Sequence, residues 1–271
     1  MIIFSGKDDA ESALEDIMRK RVFGAAGERV VIEERLEGEE VSFMALFDGE
    51  HFLPLASSQD HKRVFDHDQG LNTGGMGAYS PAPIVTPSLH AAIVEQVLTP
   101  LLLGLKRRGI VYRGVLYAGL MITGDGPKVL EFNARFGDPE CQPIMMRMES
   151  DFVPLLLATA EGRLNEVQVA WKEQASVCVV LASGGYPGNY DKGLAITGLE
   201  SLAAWPRGYV FHAGTRYQNN CWRTNGGRVL GVTALGDDIA AATREAYAGV
   251  SKITWQDMHH RRDIAARATQ G

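Results

Sequence analysis

Lys128-Val129-Leu130-Glu131-Phe132-Asn133-Ala134-Arg135-Phe136-Gly137-Asp138-Pro139-Glu140 is the stretch on which the fold reading turns. Side chains alternate along a strand, so Glu131 and Asn133 face one way and Leu130 and Phe132 the other. A carboxylate beside an amide oxygen suits a hard cation such as Mg²⁺, which takes oxygen ligands and keeps substrate phosphates in its shell. Arg135 continues the same face just past the strand, where a guanidinium can hold a phosphoryl group or a carboxylate in two-point contact. Taken alone, Glu-x-Asn-x-Arg also fits a polar, solvated strand face followed by a turn, and the apolar Leu130 and Phe132 suit either.

Working outward, residues 114–123 read as the antiparallel partner of this strand, joined to it by the turn Gly124-Asp125-Gly126. Residues 87–108 carry Leu89, Ile93, Val94, Val97, Leu101 and Leu105 on one helical side, with Pro100 set to kink or split the helix. Residues 57–83 lose all periodicity and are dense in Gly, Asp, Asn and Pro, the mark of a long functional or disordered segment. Before them, residues 41–47 form a strand, Asp48-Gly49 a hairpin turn and residues 51–56 the returning strand. Residues 8–21 have helical spacing, Gly24-Ala25-Ala26-Gly27 breaks it, and Val30-Val31-Ile32 is expected to be a short buried strand.

Downstream, residues 145–161 hold two short helical runs, and Ala170-Trp171-Lys172-Glu173-Gln174 has the look of a domain boundary. A smaller unit follows, with strands at 176–182, 209–213 and 228–234, a tight loop at Gly184-Gly185-Tyr186-Pro187-Gly188 and a helix at 238–250. The expected class is α+β, with domains at 1–170 and 171–271 and no internal repeat.

Two further stretches carry candidate chemistry. Glu33-Glu34-Arg35-Leu36-Glu37-Gly38-Glu39-Glu40 is an apolar strand running into carboxylates. It reads as a hinge beside an adenine, with Glu33 and the backbone around Leu36 at the base edge and Glu40 accepting from ribose hydroxyls; a solvated acidic hairpin has the same composition. The second is Asn72-Thr73-Gly74-Gly75-Met76-Gly77, preceded by Asp60-His61-Lys62-Arg63. Small residues such as Gly74 and Gly75 let backbone N–H groups approach an anion, and Lys62 and Arg63 add positive charge. The Gly-Lys-Ser/Thr ending of a Walker A loop is absent, and an ordinary glycine-rich surface loop remains an alternative.

The 271 residues include 45% hydrophobic and 22% charged types, the balance of a globular protein with a sizeable core. A net charge of -6 argues against non-specific nucleic-acid binding while leaving room for a local basic pocket. Three widely spaced cysteines, Cys141, Cys178 and Cys221, offer neither a disulfide framework nor a CxxC metal pair, which fits a reducing cytoplasm. No signal-peptide core is expected at the start, and no run is expected to approach the roughly 20 apolar residues of a membrane span.

Together these stretches resemble the glycinamide ribonucleotide synthetases. The likeness is carried by Val31-Ile32-Glu33-Glu34, Gly38-Glu39-Glu40, Gln59-Asp60-His61-Lys62-Arg63, the 72–79 glycine loop with Ala78-Tyr79, Leu116-Tyr117-Ala118-Gly119-Leu120-Met121 and the 130–140 stretch. It continues through Gly184-Gly185-Tyr186-Pro187-Gly188, Phe211-His212-Ala213-Gly214-Thr215 and Thr224-Asn225-Gly226-Gly227-Arg228-Val229-Leu230, and covers essentially the whole chain. The resemblance implies an ATP-grasp fold, in which two α+β lobes close on ATP, followed by a small α+β domain. It implies ATP as co-substrate, Mg²⁺ or Mn²⁺ on Glu131 and Asn133, and glycine and phosphoribosylamine as the other small-molecule partners. The implied reaction passes through glycyl phosphate, with Arg135 and Asp138 as catalytic groups. Asp138 and Glu140 are expected near the glycine ammonium, and Asp60, Lys62 and Arg63 near the ribosylamine or phosphates.

One departure stands out. Members of the family carry a longer amino-terminal region, including a glycine-rich, lysine-containing part of the nucleotide lid. Here Met1-Ile2-Ile3-Phe4 starts just after the place where that stretch belongs, and Lys7 comes too late to replace it. A missing amino-terminal half is therefore expected as a partner. The competing expectations are a non-catalytic nucleotide-binding remnant and another ATP-grasp ligase of purine synthesis acting on a different carboxylate.

Overall fold

The protein is described from a computed structural model, which covers residues 6–269. Met1-Ile2-Ile3-Phe4, expected at the edge of the lid, lies outside the described residues. The chain divides into two compact units, Met1–Gly38 and Glu39–Gly271.

In the first unit, helix α1 (Lys7–Leu14) runs on as a π turn, Glu15–Arg19, before a 3₁₀ turn at Gly24–Glu28. Gly27 lets the returning chain close on the helix, since a Cβ there would sit 2.4 Å from the Ile17 carbonyl oxygen. Ala10, Ala13, Leu14 and Ile17 line a cavity of about 440 Å³ with Phe23 and residues 30–33. The strand expected at Val30-Val31-Ile32 does not form: residues 29–37 are irregular, and Val31 and Ile32 are 84% and 78% exposed. β-rich composition is not enough, because a strand needs a neighbour for its backbone groups, and none pairs with it among the described residues.

The second unit opens with strands β1 (Glu39–Asp48), β2 (Phe52–Pro54), β3 (Gln59–Asp60), β4 (Arg63–Phe65), β5 (Gln69–Asn72) and β6 (Gly77–Ser80). Helices α2 (Pro87–Ile93) and α3 (Thr99–Arg107) follow, then β7 (Arg113–Thr123), β8 (Gly126–Asn133), α4 (Cys141–Arg147) and α5 (Phe152–Glu161). The chain closes with β9 (Ala175–Ala182), β10 (Gly208–His212), β11 (Thr215–Gln218), β12 (Cys221–Thr224), β13 (Arg228–Gly236), α6 (Ile239–Val250) and α7 (Ala266–Thr269). The segment 57–83, expected to be irregular, thus contains four short strands.

The first sheet has the order β2-β1-β7-β8, all antiparallel. Phe43, Ala45 and Phe47 of β1 pack on one face with Ile93, Val97 and Leu98 of the helix, while Met44 and Leu46 pack on the other with Ile144 and Leu155. A strand covered on both faces reads as an unbroken apolar run, which explains Phe43 to Phe47. Thr86 caps α2 by accepting from the Leu89 N–H, with Pro87 at the first helical position. Between α2 and α3 the helix widens into a π turn, Val94–Leu98, ahead of Pro100, so the expected kink is absorbed as a change of helical pitch. Pro87–Arg107 is, at 21 residues, long and apolar enough to cross a membrane. Length and composition alone are weak evidence for a span, and Ile93, Val97 and Leu98 are buried in this protein's own core.

The second sheet has the order β10-β13-β9-β6-β3. Val177, Val179 and Leu181 of β9 bury against Ala242, Ala246 and Val250 of α6, while α4 packs on β9 and β13. Helix α4 also sends Ile144 into the apolar layer of the first sheet. β6 pairs with β9, so the second sheet runs across the stretch near residue 170 where a boundary is expected, and Glu39–Gly271 group as one compact unit.

Candidate active site

The register of the first sheet sets the site. Ser42 faces Gly119 and Gly119 faces Glu131; one row along, Met44 faces Tyr117 and Tyr117 faces Asn133. Directly paired residues share a face, so Glu40, Ser42, Glu131 and Asn133 all project from the side that carries Met44 and Leu46. This face is apolar at one end and polar at the other. A register shift opposite Gly119 and Leu120 bulges β8 at Leu130, and bulges commonly re-aim side chains beside active sites. Gly119 leaves the floor low: a Cβ there would lie 3.3 Å from Glu131 Cγ.

Glu131 and Asn133 share the face that alternation required. Asn133 Nδ2 donates to Glu131 Oε1 at 3.2 Å, and both side chains reach solvent. Asn133 Oδ1 and Glu131 Oε2 have no donor among the described residues, so two oxygens stand side by side. No group of three or more His, Cys, Asp or Glu side chains converges as a cage among the described residues. A Glu–Asn pair fits an ion that completes its shell with water and phosphate oxygens. Arg135 is exposed beyond the strand and donates to the Phe136 carbonyl at 2.9 Å. That places its backbone next to the pair, while its guanidinium is engaged with its own loop.

Alongside lies a charged cluster. Asp60, on β3, is 9% exposed. Burial, and next the negative charge of Glu140, push its carboxyl up to about 7, against the pull of Lys62. Lys62 is ion-paired with Glu40. Burial lowers the Lys62 ammonium, but the charges of Asp60, Glu40 and Glu131 outweigh it and the net shift is upward. Lys62 therefore lies within electrostatic reach of both Asp60 and Glu131. Glu40, expected to meet ribose hydroxyls, already holds Lys62 with one oxygen. Tyr117 donates to Ser42 Oγ at 2.8 Å, because Ser42 spends its own proton on Glu140 Oε1 at 2.9 Å. His61 is buried with Nδ1 unpartnered, and desolvation followed by Arg267 and Arg261 lowers it to about 3. It is neutral at physiological pH.

The glycine loop differs from expectation. The Gly74 N–H donates to the Tyr186 hydroxyl at 3.1 Å and the Gly75 N–H to Thr73 Oγ1 at 2.9 Å, so the donors expected to cradle phosphate are used within the fold. The glycines are needed for close packing: a Cβ on Gly74 would sit 2.9 Å from Arg228 Cζ, and one on Gly75, at φ 115°, 2.3 Å from Pro139 Cδ. Arg228 donates to the carbonyls of Gly74 (2.7 Å) and Asp138 (2.6 Å), and to Asp138 Oδ2 (2.9 Å). Gln142 donates to Asp138 Oδ1 at 3.1 Å. Each Asp138 oxygen thus accepts one hydrogen bond from the fold, and the side chain is half exposed. Arg63 is likewise engaged, donating to the Gly70 carbonyl at 2.6 Å within the β4–β5 hairpin.

Glu33 is exposed and lines the cavity of the first unit, and Leu36 is half-buried. Sequence reasoning missed Ser42, Tyr186, Arg228 and Arg267. Tyr186 and Arg228 stood inside quoted motifs without a role, and that was their one signal.

Comparisons with known proteins agree with this architecture. Residues 1–141 match the family described as phosphoribosylglycinamide synthetase, ATP-grasp (A) domain, and residues 176–267 match its C domain. The phosphoribosylamine–glycine ligase of Vibrio parahaemolyticus is 53% identical over 269 residues, covering 99% of this chain and 62% of the relative. That of Allochromatium vinosum is 55% identical over 260 residues, covering 96% and 60%. The crystal structure of the Thermotoga maritima phosphoribosylamine–glycine ligase superposes with a TM-score of 0.85 at 35% identity, over 97% of this chain and 65% of that one. The biotin carboxylase domain of a thermophilic 2-oxoglutarate carboxylase, at 12% identity and TM-score 0.63, shares the fold alone. The chain spans about 62% of the length of the curated relatives it matches. The fold is an α+β ATP-grasp portion followed by a carboxy-terminal domain, and the chain belongs to the phosphoribosylglycinamide synthetase family.

Proposed function

We propose that the chain provides the metal wall and the acceptor side of an ATP-dependent ligase that joins glycine to 5-phosphoribosylamine. The observation that carries this is the pair of free oxygens on Glu131 and Asn133, set on one open sheet face next to Lys62. Glu131 and Asn133 would hold Mg²⁺ or Mn²⁺. Bound there, the cation supplies charge neutralisation to the phosphates of ATP, which is most of what phosphoryl transfer asks of a protein. Arg135, released from the Phe136 carbonyl, reaches a phosphoryl oxygen. Lys62 exchanges part of its pairing with Glu40 for substrate anions, which also frees Glu40 for the ribose. Glu33 and the backbone at Leu36, in the first unit, are assigned to adenine from their sequence motif alone.

In this reading the glycine carboxylate attacks the γ-phosphate to give glycyl phosphate and ADP, and the amine of phosphoribosylamine then displaces phosphate. Asp138, fixed by Arg228 and Gln142, orients the residues around the glycine, with Glu140 facing its ammonium. Residues 1–170 and 171–271 are the two modules of the relatives, fused here through the second sheet.

The test is phosphate release from ATP by this chain joined to the amino-terminal portion of a relative. Release is expected to require both glycine and phosphoribosylamine. Glu131→Ala is expected to lower kcat far more than it weakens nucleotide binding measured by calorimetry, because the lost contact acts on charge developing in the transition state. Release independent of glycine ends the ligase assignment. Equal loss in kcat and binding makes Glu131 a binding residue only.

A further inference from the structure

We propose that Asp60 is the catalytic residue that takes the proton from the amine as it attacks the acyl phosphate, an assignment that rests on the ligase reading above. Asp60 lies at the edge of the second sheet, where β3 pairs with β6 and Asp60 faces Ala78. Arg267 donates to its main-chain carbonyl at 3.1 Å. The backbone is therefore fixed, while the carboxylate is free of protein donors among the described residues. Each group that faces it is engaged elsewhere. Glu140 accepts from Ser42, Lys62 pairs with Glu40, Tyr117 donates to Ser42 and Tyr79 to Gln59. The Arg267 contact goes to the carbonyl and not to the carboxylate.

A nearly buried carboxyl whose charged form is disfavoured is the kind of group that clusters at functional sites. The position also fits. Lys62, two residues on from Asp60, pairs with Glu40, which projects from the same sheet face as Glu131.

The chemistry needs an acceptor of this kind. The amine lone pair forms the new C–N bond at the glycyl carbonyl carbon, and the bond from that carbon to the phosphate oxygen breaks, its electron pair leaving with phosphate. The nitrogen must shed a proton for the product amide to be neutral. Ionised Asp60 takes it, becomes the neutral acid, and passes it to the departing phosphate or to water. Burial beside Glu140 raises this carboxyl towards neutrality, which favours both halves of that exchange.

The experiment compares two outputs in the protein completed with the amino-terminal portion its relatives carry. One is ligation to phosphoribosylamine. The other is glycine hydroxamate, formed when hydroxylamine, which attacks acyl phosphates without a base, replaces phosphoribosylamine. In Asp60→Asn, ligation is expected to fall by about 100-fold or more, the usual scale of a positioned base, with hydroxamate formation close to that of the unsubstituted protein. Asp60→Glu is expected to recover part of the ligation, and the rise of kcat with pH through neutrality is expected to vanish in Asp60→Asn alone. If hydroxamate and ligation fall together, or ligation is unchanged, the proton-acceptor role is overturned. If the unsubstituted protein yields no glycine-dependent hydroxamate, the ligase reading itself fails.

Discussion

Arg228→Met removes the clamp between the glycine loop and the Asp138 turn while keeping the aliphatic stem that packs beneath it. Three short hydrogen bonds are lost, to the Gly74 carbonyl at 2.7 Å, the Asp138 carbonyl at 2.6 Å and Asp138 Oδ2 at 2.9 Å; the 3.4 Å contact to the Gly75 carbonyl adds little. A hydrogen bond from a charged donor contributes about 1.5–3 kcal/mol when well buried. The Arg228 side chain is 22% exposed and its ion-pair partner 50% exposed, so solvent screening brings each nearer to about 1 kcal/mol. The expected destabilisation is about 3 kcal/mol, read as a lower urea midpoint at unchanged slope. Arg228→Lys is expected to recover less than half, because an ammonium cannot reproduce a fork that spans two carbonyls and a carboxylate. A double-mutant cycle with Asp138→Asn isolates the side-chain contact. Hydrogen exchange should also accelerate at residues 73–75 before the rest of the second unit responds. A loss within about 0.5 kcal/mol, the ordinary surface range, or full rescue by lysine, refutes the clamp.

Three further outcomes follow from the same coordinates. Gly75→Ala is expected to cost about 2–5 kcal/mol, combining a residue forced to φ 115° with a Cβ 2.3 Å from Pro139 Cδ; a neutral urea midpoint contradicts it. Arg261→Met is expected to cost about 3–5 kcal/mol in the same assay, since Arg261 is 1% exposed and pairs with Asp68 and Asp263, which it would leave without their cation. For Asp60 the sign is set by a folded-state carboxyl held above its unfolded value: between about pH 4 and pH 7 the folded form binds more protons, so stability falls as pH rises through that window. Asp60→Asn should flatten that slope and gain relative stability above pH 7, and an unchanged slope would assign the pH dependence to another group.

How far the molecule was legible depends on the distance over which each residue finds its partners. β8 could be read from alternation because its neighbour β7 is the adjacent strand in sequence, joined by a short turn. β1 and β9 were legible as unbroken apolar runs, since both faces of each are covered. The strands within 57–83 were not, because β3 and β6 are two and four residues long and the sheet they join is completed by β9, which begins at Ala175. At Val30-Val31-Ile32 the opposite error arose: local composition favoured a strand, but pairing is a tertiary property. The candidate site divides the same way. Glu131 and Asn133 lie two residues apart on one strand, so alternation alone put them together. Arg228 meets Asp138 across ninety positions, and no local pattern announces such a contact.

Helix α4 explains why residues so far apart in sequence make one site. It packs on β6, β9 and β13 of the second sheet and sends Ile144 into the layer beneath β1 of the first. The two residues just ahead of it that carry charge, Asp138 and Glu140, are therefore delivered to the seam between the sheets, one bound by Arg228 from β13 and the other by Ser42 from β1. Glu131 and Asn133, the proposed metal ligands, belong to the first sheet, whereas Asp60 belongs to the second, whose order runs β9-β6-β3. Stripping away the carboxy-terminal module would remove β9 and leave β6 and β3 without the strand that completes them, while Arg228 and Arg267 would be lost outright. Glu131 and Asn133 could keep their register with β7 under that cut, but Asp60 and Lys62 would lose the frame that holds them near it. The carboxy-terminal module is thus part of the frame around the candidate site, with α4 packed between the sheets.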